Sequence, residues 1–309
     1  MSIDIRPMQP QDWQNVTEVN QLAFDEYYRQ TNRPLQKGKR TQENIHSALA
    51  MFPQGCFVAE EGEIMLGFVF SRHWGEQGWI GVFGVSPEAQ GKGVGKQLLA
   101  ASISALQSAG CNPIALETMP ASPYNVGLYM SMGFLPIYNT LYMVKQVDSV
   151  SPATPYTTLQ EIPLNEGLEK ISWLSRSANP SADYAGEARN AIDYQWGDVL
   201  LPGWPDPWGL AVIRTRNLRD VGNPFVCDPV AVVISGEQRH RYPEMLAIIE
   251  SYAAKLGAEQ IMMPVNSQEH NALQQTINYG FRVSRINVRM VMNPPYADTP
   301  GLDLHRWTM

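Results

Sequence analysis

The feature that most constrains the fold of this 309-residue chain is an internal repeat with a spacing of 147 residues. Three pairs of positions keep this one separation: Val85 and Val232, Gly110 and Gly257, and Gly133-Phe134 and Gly280-Phe281. The order of apolar strands and amphipathic helices also begins again after residue 156. A repeat of about 150 residues has the length of one domain, so the pattern indicates two copies of one α/β unit.

The boundary between the copies is expected in segment 149–155, which contains Ser and Pro and lacks an apolar pattern. We therefore predict one domain at 1–148 and a second at 156–309, each a mixed α/β sheet with helices packed on it. In the first domain, a glycine turn at Glu61-Gly62 predicts a hairpin, and residues 137–147 predict a last pair of strands.

Composition excludes several classes of protein. The net charge of −7 argues against a nucleic-acid binder that relies on bulk electrostatics. The three cysteines lack CxxC spacing and the five histidines lack HxxxH or HExxH spacing, so we expect no metal site. No run approaches the roughly 18 apolar residues of a membrane span, and the first residues do not resemble a signal peptide. These features predict a cytoplasmic protein without membrane contact.

A glycine-rich loop follows the strand that ends at Val85, in the stretch VSPEAQGKGVGKQLL. The loop does not fit a Walker motif, because Gln90 stands where the first glycine is required, nor the GxGxxG dinucleotide motif. Glycines at a helix start allow a close approach to phosphate, and Lys92 and Lys96 add positive charge. The alternative is an ordinary strand-to-helix turn with surface lysines.

The segment Gln90-Gly91-Lys92-Gly93-Val94-Gly95 resembles the acetyl-CoA motif of the GCN5-related N-acetyltransferases, the GNAT superfamily. The downstream LYMSMGF resembles that family's closing Tyr-x-x-x-Gly-Phe segment, and IRPMQPQDW resembles its first strand and helix. The resemblance covers residues 1–147 and implies two tandem acyl-CoA N-acyltransferase folds. It implies that residues 90–96 bind the coenzyme A pyrophosphate, and that the strand containing Phe83 and Val85 pairs with the pantetheine arm.

Transfer of an acetyl group to an amine requires the amine's lone pair. Deprotonating a lysine-like amine at pH 7 costs about 4.6 kcal/mol, so a positioned carboxylate is the usual base. By resemblance Glu117, which precedes Tyr129 by twelve residues, is the candidate base, and Glu76 is a second candidate. The alternative role for Glu117 is a carboxylate that hydrogen-bonds neighbouring backbone at a strand edge.

Tyr129 corresponds by resemblance to the general acid that meets the coenzyme A thiolate, and its alternative role is a core aromatic. Ser122 stands where many relatives have Asn, and Asn125 lies nearby but out of register. We assign both to the cofactor site, and Ser122 is also a candidate helix N-cap.

The second copy lacks the loop. At the 147-residue offset, residues 90–95 correspond to Glu237-Gln238-Arg239-His240-Arg241-Tyr242, with no glycine among them, and Glu117 and Tyr129 correspond to Pro264 and Thr276. Bulky side chains would block the approach of a pyrophosphate, so we expect one acetyl-CoA per chain. The basic turn 239–241 is interpreted as a solvated turn, with anion binding as the alternative.

The sequence thus predicts an N-acetyltransferase that moves acetyl from acetyl-CoA to a primary amine by direct attack in a ternary complex. The acceptor is a small-molecule amine or a peptide amine. The alternatives are a non-catalytic acyl-CoA sensor and a nucleotide-phosphate loop. The second copy would wall the acceptor cleft or form a homo-oligomer contact. The Trp- and Pro-rich segment 195–209 would line a surface or pack over the second domain.

Overall fold

The computed structural model describes residues 3–30, 39–148, 155–215, 225–293 and 299–306. The described strands are β1 (Asp4–Pro7), β2 (Phe57–Glu61), β3 (Ile64–Trp74), β4 (Gln77–Val85), β5 (Ile114–Thr118), β6 (Phe134–Gln146), β7 (Tyr156–Thr158), β8 (Gly197–Pro202), β9 (Gly209–Arg214), β10 (Val226–Ile234), β11 (Gln260–Asn266), β12 (Arg282–Met292) and β13 (Leu302–His305). The described α-helices are α1 (Trp13–Gln30), α2 (Gln42–Met51), α3 (Val94–Ser108), α4 (Pro123–Ser131), α5 (Leu164–Ala178), α6 (Ala185–Asp193), α7 (Tyr242–Lys255) and α8 (His270–Asn278).

The repeat is visible in the elements themselves. Helix α8 begins and ends 147 residues after α4, and α7 and β12 follow α3 and β6 at nearly the same offset. The predicted turns are also present, since Gly62, Gly110 and Gly257 all adopt positive φ where the adjoining strand or helix ends. The α/β class with two copies of one fold is confirmed. Apart from residue 155, the expected linker 149–155 lies outside the described residues, so the domain limits stay a prediction.

All of the strands on the main path form one mixed sheet that runs through both copies. Its order is β1-β2-β3-β4-β5-β12-β6-β11-β10-β9-β8-β7, and β13 pairs with β10 off this path. The last strand of each copy is exchanged with the other copy: β12 lies between β5 and β6, and β6 lies between β12 and β11. The predicted pair of strands at 137–147 is therefore wrong. The segment is one long strand, β6, because its hydrogen-bonding partners on both sides come from the second copy.

The exchange has two-fold pseudosymmetry. Thr140 of β6 pairs with Asn287 of β12, and these two positions are themselves 147 residues apart. The Glu117–Arg289 pair of β5 and β12 is matched by the Pro264–Tyr142 pair of β11 and β6, with each residue replaced by its counterpart. A pseudo-two-fold axis therefore passes between Thr140 and Asn287, and the centre of the sheet belongs to both copies.

Helices pack on both faces of the sheet. In the first copy, α3 and α4 pack over one apolar core, and α1 and α2 pack over another. The copies also meet at α6, where Asn190 accepts a hydrogen bond from Ser47 of α2 and Glu187 forms a buried ion pair with Arg72 of β3. No described helix is long and apolar enough to cross a membrane.

Candidate functional site

The candidate site lies where β4 and β5 diverge. The two strands pair in parallel from Gly78–Ile80 to Ile114–Leu116, and no described strand pairs with β4 on that side after Ile80. An irregularity in the pairing of β3 and β4, between Val69 and Ser71, occurs at the same level and turns the rest of β4 away from β5. The result is a gap between two strands of the sheet, bounded on one side by β4 residues 81–85.

The backbone of β4 faces this gap at alternate residues. The N–H of Ser86 donates to the carbonyl of Leu66 on β3, so the alternation of an antiparallel pair turns the polar groups of Phe83 and Val85 toward the gap. The carbonyl of Val85 already accepts a hydrogen bond from the side chain of Gln90, at 3.2 Å. This strand edge can pair with an extended ligand that carries amide groups.

The glycine loop lies at the end of this edge and leads into α3. Gly91 and Gly93 adopt φ angles of +77° and +81°, and a Cβ at either position would meet no atom within 4 Å. Gly93 is the N-cap of α3 and no side chain caps that helix, so the N–H groups of its first turn are available to an anion. Lys92 and Lys96 are exposed beside it. The loop therefore has the geometry of a phosphate cradle.

Gly95 has a different role from the other two glycines. A Cβ on Gly95 would lie 2.9 Å from Cζ of Phe83, so its lack of a side chain allows α3 to pack directly on β4. Val94 is buried beside it. The predicted binding residues of 83–96 thus divide into those that face the gap and those that hold α3 against the strand.

Tyr129 lies in α4 on the α3 side of the sheet. Its ring packs edge-to-face on Phe134 with centroids 6.4 Å apart, and burial raises the pKa of its hydroxyl. The hydroxyl has no hydrogen-bond partner among the described residues, and it is not one of their fully enclosed unpaired polar atoms. It is therefore a neutral donor with a free hydrogen.

Ser122 is the N-cap of α4 and accepts a hydrogen bond from the backbone N–H of Asn125 at 3.3 Å. Its hydroxyl is committed to the helix, as the sequence alternative stated. Asn125 is half-buried in the first turn of the same helix. A contact from either residue to a ligand stays a prediction.

Glu117 lies on the opposite face of the sheet and is fully engaged. One carboxylate oxygen accepts hydrogen bonds from Thr140 at 2.7 Å and from Arg289 at 2.5 and 3.2 Å. The other accepts from Tyr142 at 2.7 Å and from Asn287 at 3.3 Å. Burial by itself would raise the pKa of this carboxyl, but the Arg289 charge and these hydrogen bonds hold the pKa below its ordinary value.

These contacts differ from what the base hypothesis needs. A general base requires a free lone pair directed at the amine and a pKa near the working pH. The side chain of Glu117 is 2% exposed and side chains occupy its acceptor positions, whereas the strand-edge alternative expected backbone partners. Glu76, the second candidate, lies in the turn before β4, at the end remote from the glycine loop.

Sequence reasoning missed the residues that β12 supplies to this face. Arg289 is 0% exposed and donates to Glu117, to the Tyr138 hydroxyl and to the carbonyl of His305. Asn287 donates to Glu117 from the same strand. Both lie about 170 residues from Glu117 in sequence. Their position beside Glu117 depends on the strand exchange, which no local sequence pattern indicates.

In the second copy the corresponding gap is filled by the chain itself. Strands β10 and β11 pair only at Val226–Cys227, and β10 then pairs at Ala231–Ile234 with β13. At the 147-residue offset, Ala231 and Val232 are the counterparts of Gly84 and Val85. Strand β13 therefore occupies the edge that corresponds to the free edge of β4.

The basic turn of the second copy binds this same segment. Arg239, the counterpart of Lys92, donates to the carbonyls of Thr299 and Gly301 and forms an ion pair with Glu269 at 2.5 Å. Arg241 pairs with Glu244 at 2.7 Å and stacks on Trp208 at 4.0 Å. The expectation of a solvated basic turn is thus wrong for both arginines, which serve internal contacts.

The Trp-rich segment packs within the second copy. Its residues 197–202 form the buried strand β8, and Trp196 and Trp208 are buried against the core. Packing, rather than an exposed aromatic surface, is the role that the structure supports. Among the described residues no group of His, Cys, Asp or Glu side chains could hold a metal ion.

Comparison with known proteins identifies the first copy. Residues 13–134 match the Acetyltransferase (GNAT) family. This segment is a GNAT acetyltransferase domain. It contains the glycine loop, Glu117 and Tyr129, and ends at the Phe134 that packs on Tyr129.

Among the curated relatives that match the chain at the sequence level are two mycothiol acetyltransferases. A mycothiol acetyltransferase of Thermobispora bispora is 33% identical over 123 residues, which cover 38% of this chain and 40% of that protein. A mycothiol acetyltransferase of Pseudarthrobacter chlorophenolicus is 33% identical over 143 residues, which cover 43% of this chain and 42% of the relative. The chain therefore matches less than half the length of these relatives.

Solved structures extend the likeness in fold to the second copy. A GCN5-related N-acetyltransferase from Sphaerobacter thermophilus aligns with a TM-score of 0.61 and 12% identity, covering 98% of each chain. A tandem GNAT protein from the clavulanic acid biosynthesis pathway aligns with a TM-score of 0.60 and 12% identity, covering 96% of this chain and 100% of the other. Two tandem GNAT folds are thus the architecture of the whole chain.

Proposed function

We propose that the protein is an acetyl-CoA-dependent N-acetyltransferase with one active site, formed around the gap between β4 and β5. The observation that carries this proposal is the contrast between the two gaps. The first has a free strand edge and an uncapped glycine loop, whereas β13 fills the second. One acetyl-CoA per chain follows from this contrast.

The residues at the first gap fit coenzyme A. The N–H groups of Gly91, Gly93 and the first turn of α3 would bind the pyrophosphate, with Lys92 and Lys96 adding charge. The free edge of β4 at Phe83 and Val85 would pair with the amides of the pantetheine arm. When bound, acetyl-CoA supplies the thioester carbonyl that the amine attacks.

The remaining steps belong to residues on the two sides of the gap. An acceptor amine would approach from the Glu117 face, opposite α3, and attack directly. The Tyr129 hydroxyl would donate a hydrogen bond to the departing thiolate; because burial keeps it neutral, it would act chiefly as a donor rather than as a full acid. Glu117 would hold the end of β5 in place, and the amine would lose its proton to water.

The acceptor class is a primary amine on a small molecule or a peptide. The relatives are named for mycothiol, but the matched segment covers less than half of each. The acceptor of this chain is therefore to be identified with a panel of amines, by monitoring the release of free thiol.

Replacement of Tyr129 tests the mechanism. Tyr129→Phe removes the free donor and should lower kcat about 100-fold with little change in binding of coenzyme A. Tyr124→Phe is the matched control, because Tyr124 lies in the same helix and is 67% exposed. An equal loss in both variants would contradict the role of Tyr129. Tight acetyl-CoA binding with no turnover across the amine panel would instead favour the sensor.

A further inference from the structure

The first half of β12 is an uncovered part of the sheet centre. Residues 282–286 are all exposed, although the strand is interior to the sheet order. Strand β5 pairs with β12 only at residues 288–292, so the earlier residues have β6 on one side and no described strand on the other. This surface lies beside the Glu117 cluster, on strand positions supplied by the second copy.

Arg285 is the uncommitted cation of this surface. Its guanidinium lies 3.9 Å from the ring centroid of Tyr142, and among the described residues it has no carboxylate or carbonyl partner. The neighbouring arginines are engaged: Arg282 donates to the carbonyl of Phe281, and Arg289 to Glu117. Arg285 thus retains its hydrogen-bond donors on an exposed face.

The tyrosine under Arg285 is rigid. Tyr142 is 1% exposed, and its hydroxyl donates to Glu117 at 2.7 Å. The buried Arg306 lies near the same ring, at 5.7 Å. Stacking on a fixed ring restricts the guanidinium plane, so less conformational entropy is lost when it binds an anion. Arg285 therefore stacks on the same tyrosine whose hydroxyl donates to the Glu117 carboxylate.

Strand alternation places Arg285 on the acceptor side. Arg285, Asn287 and Arg289 alternate along β12 and share one face, and the last two contact Glu117. Under the proposed function, on which this inference rests, the acceptor amine approaches from that face. A guanidinium fork binds a carboxylate or phosphate through two parallel hydrogen bonds.

We propose that Arg285 is a specificity-determining residue for the acceptor and that the acceptor is an amine carrying an anionic group, a carboxylate or a phosphate. The second copy would then contribute to the reaction of the first, because β12 brings Arg285 to the active face. Retention of a copy whose own gap is filled would have a functional reason.

The test uses the full chain and matched pairs of amines at saturating acetyl-CoA. The carboxylate arm compares amino acids with their amides, and the phosphate arm compares phosphoethanolamine with ethanolamine. Wild type should prefer the anionic members, and Arg285→Ala should raise KM for those members about 10-fold or more, with KM for the neutral members unchanged. Arg282→Ala, which removes an exposed arginine three residues away, should leave both unchanged.

A second measurement does not depend on turnover. Acetate and inorganic phosphate should each shift the guanidinium NMR signals of Arg285 when added to the wild-type protein, and the stronger shift names the anion class. No preference in wild type, an equal loss on both members in Arg285→Ala, or no shift with either anion would overturn the proposal. Failure of the proposed function would show differently, as absence of coenzyme A binding and of turnover with any amine.

Discussion

The gap between β4 and β5 in the first copy and the gap between β10 and β11 in the second lie at corresponding places in the same fold. They differ because strand β13 fills the second gap. In the first, no strand of the described part of the chain pairs with the end of β4, and the adjoining loop contains two glycines with positive φ. In the second, β13 pairs with the corresponding edge of β10. Arg239 donates to the carbonyls of Thr299 and Gly301, which precede β13. The difference shows how such a gap can be filled without loss of the fold: the polar edge of a splayed strand still needs hydrogen-bond partners, and a segment of the chain supplies them.

The gaps are also connected. His305 of β13 accepts the Arg289 guanidinium on its backbone carbonyl at 2.6 Å, and Arg289 holds Glu117 of the first copy. Asp303 bonds to the His305 ring at 2.9 Å, while burial lowers the pKa of that ring. A buried network of polar groups therefore runs from the filled gap to the face of the sheet that carries Glu117.

The largest expected effect comes from removing the Arg289 charge from this buried polar network. Arg289→Met leaves the Glu117 carboxylate buried without its cation and should lower the free energy of unfolding by about 3–5 kcal/mol. Arg176→Met is the control, because the Arg176 side chain is 64% exposed in its ion pair with Asp183 and should lose less than about 1 kcal/mol. Denaturant unfolding measures both.

If Arg289→Met does not fold, the double variant with Glu117→Gln provides the comparison. Removing both charges should recover part of the loss. Equal stability of wild type and Arg289→Met would mean that the two copies are not joined through this pair.

The next largest effect is expected from substitutions in the glycine loop beside the gap between β4 and β5. Alanine at Gly91 and Gly93 places side chains at positive φ, which costs about 1–2 kcal/mol per residue, and methyl groups in the phosphate cradle. Coenzyme A should bind about 10-fold or more weakly by titration calorimetry, with a wild-type stoichiometry of one. Gly110→Ala is the matched control, since its φ is +80° at the other end of α3. A stoichiometry of two in wild type would break the contrast between the gaps.

The smallest expected effect is that of Glu117→Gln on kcat/KM. In the second copy, Pro264 occupies the position that corresponds to Glu117. Because the charge of Arg289 and the hydrogen bonds from Arg289, Thr140 and Tyr142 hold the pKa of Glu117 below the ordinary value, the carboxylate is ionised throughout the working pH range. In Glu117→Gln the acidic limb of kcat/KM should stay at the wild-type pH, with a loss of rate below about tenfold. Glu76→Gln is the control for removal of an exposed carboxylate.

The pH profile distinguishes the roles of Glu117. A general base contributes about 10²–10⁴-fold, and its removal abolishes the acidic limb. Such a loss in Glu117→Gln alone would restore the base hypothesis and contradict the positioning role.

The sequence by itself determined the local features of this protein. The 147-residue repeat, the turn glycines, the loop at Gly91–Gly95 and the loss of that loop in the second copy are set by short-range pattern and backbone preference. Ser122 also caps the helix that carries Tyr129, as its N-cap assignment predicted, because the start of that helix is encoded nearby.

Only the tertiary structure decided how the copies share one sheet. The exchange of β6 and β12, the filling of the second gap by β13 and the ion pair of Glu117 with Arg289 all join residues more than 60 positions apart. An apolar strand pattern fixes which side chains face a core, but it does not specify which strand lies alongside. The cation beside Glu117 could not be foreseen for that reason, since Arg289 arrives on a strand from the other copy.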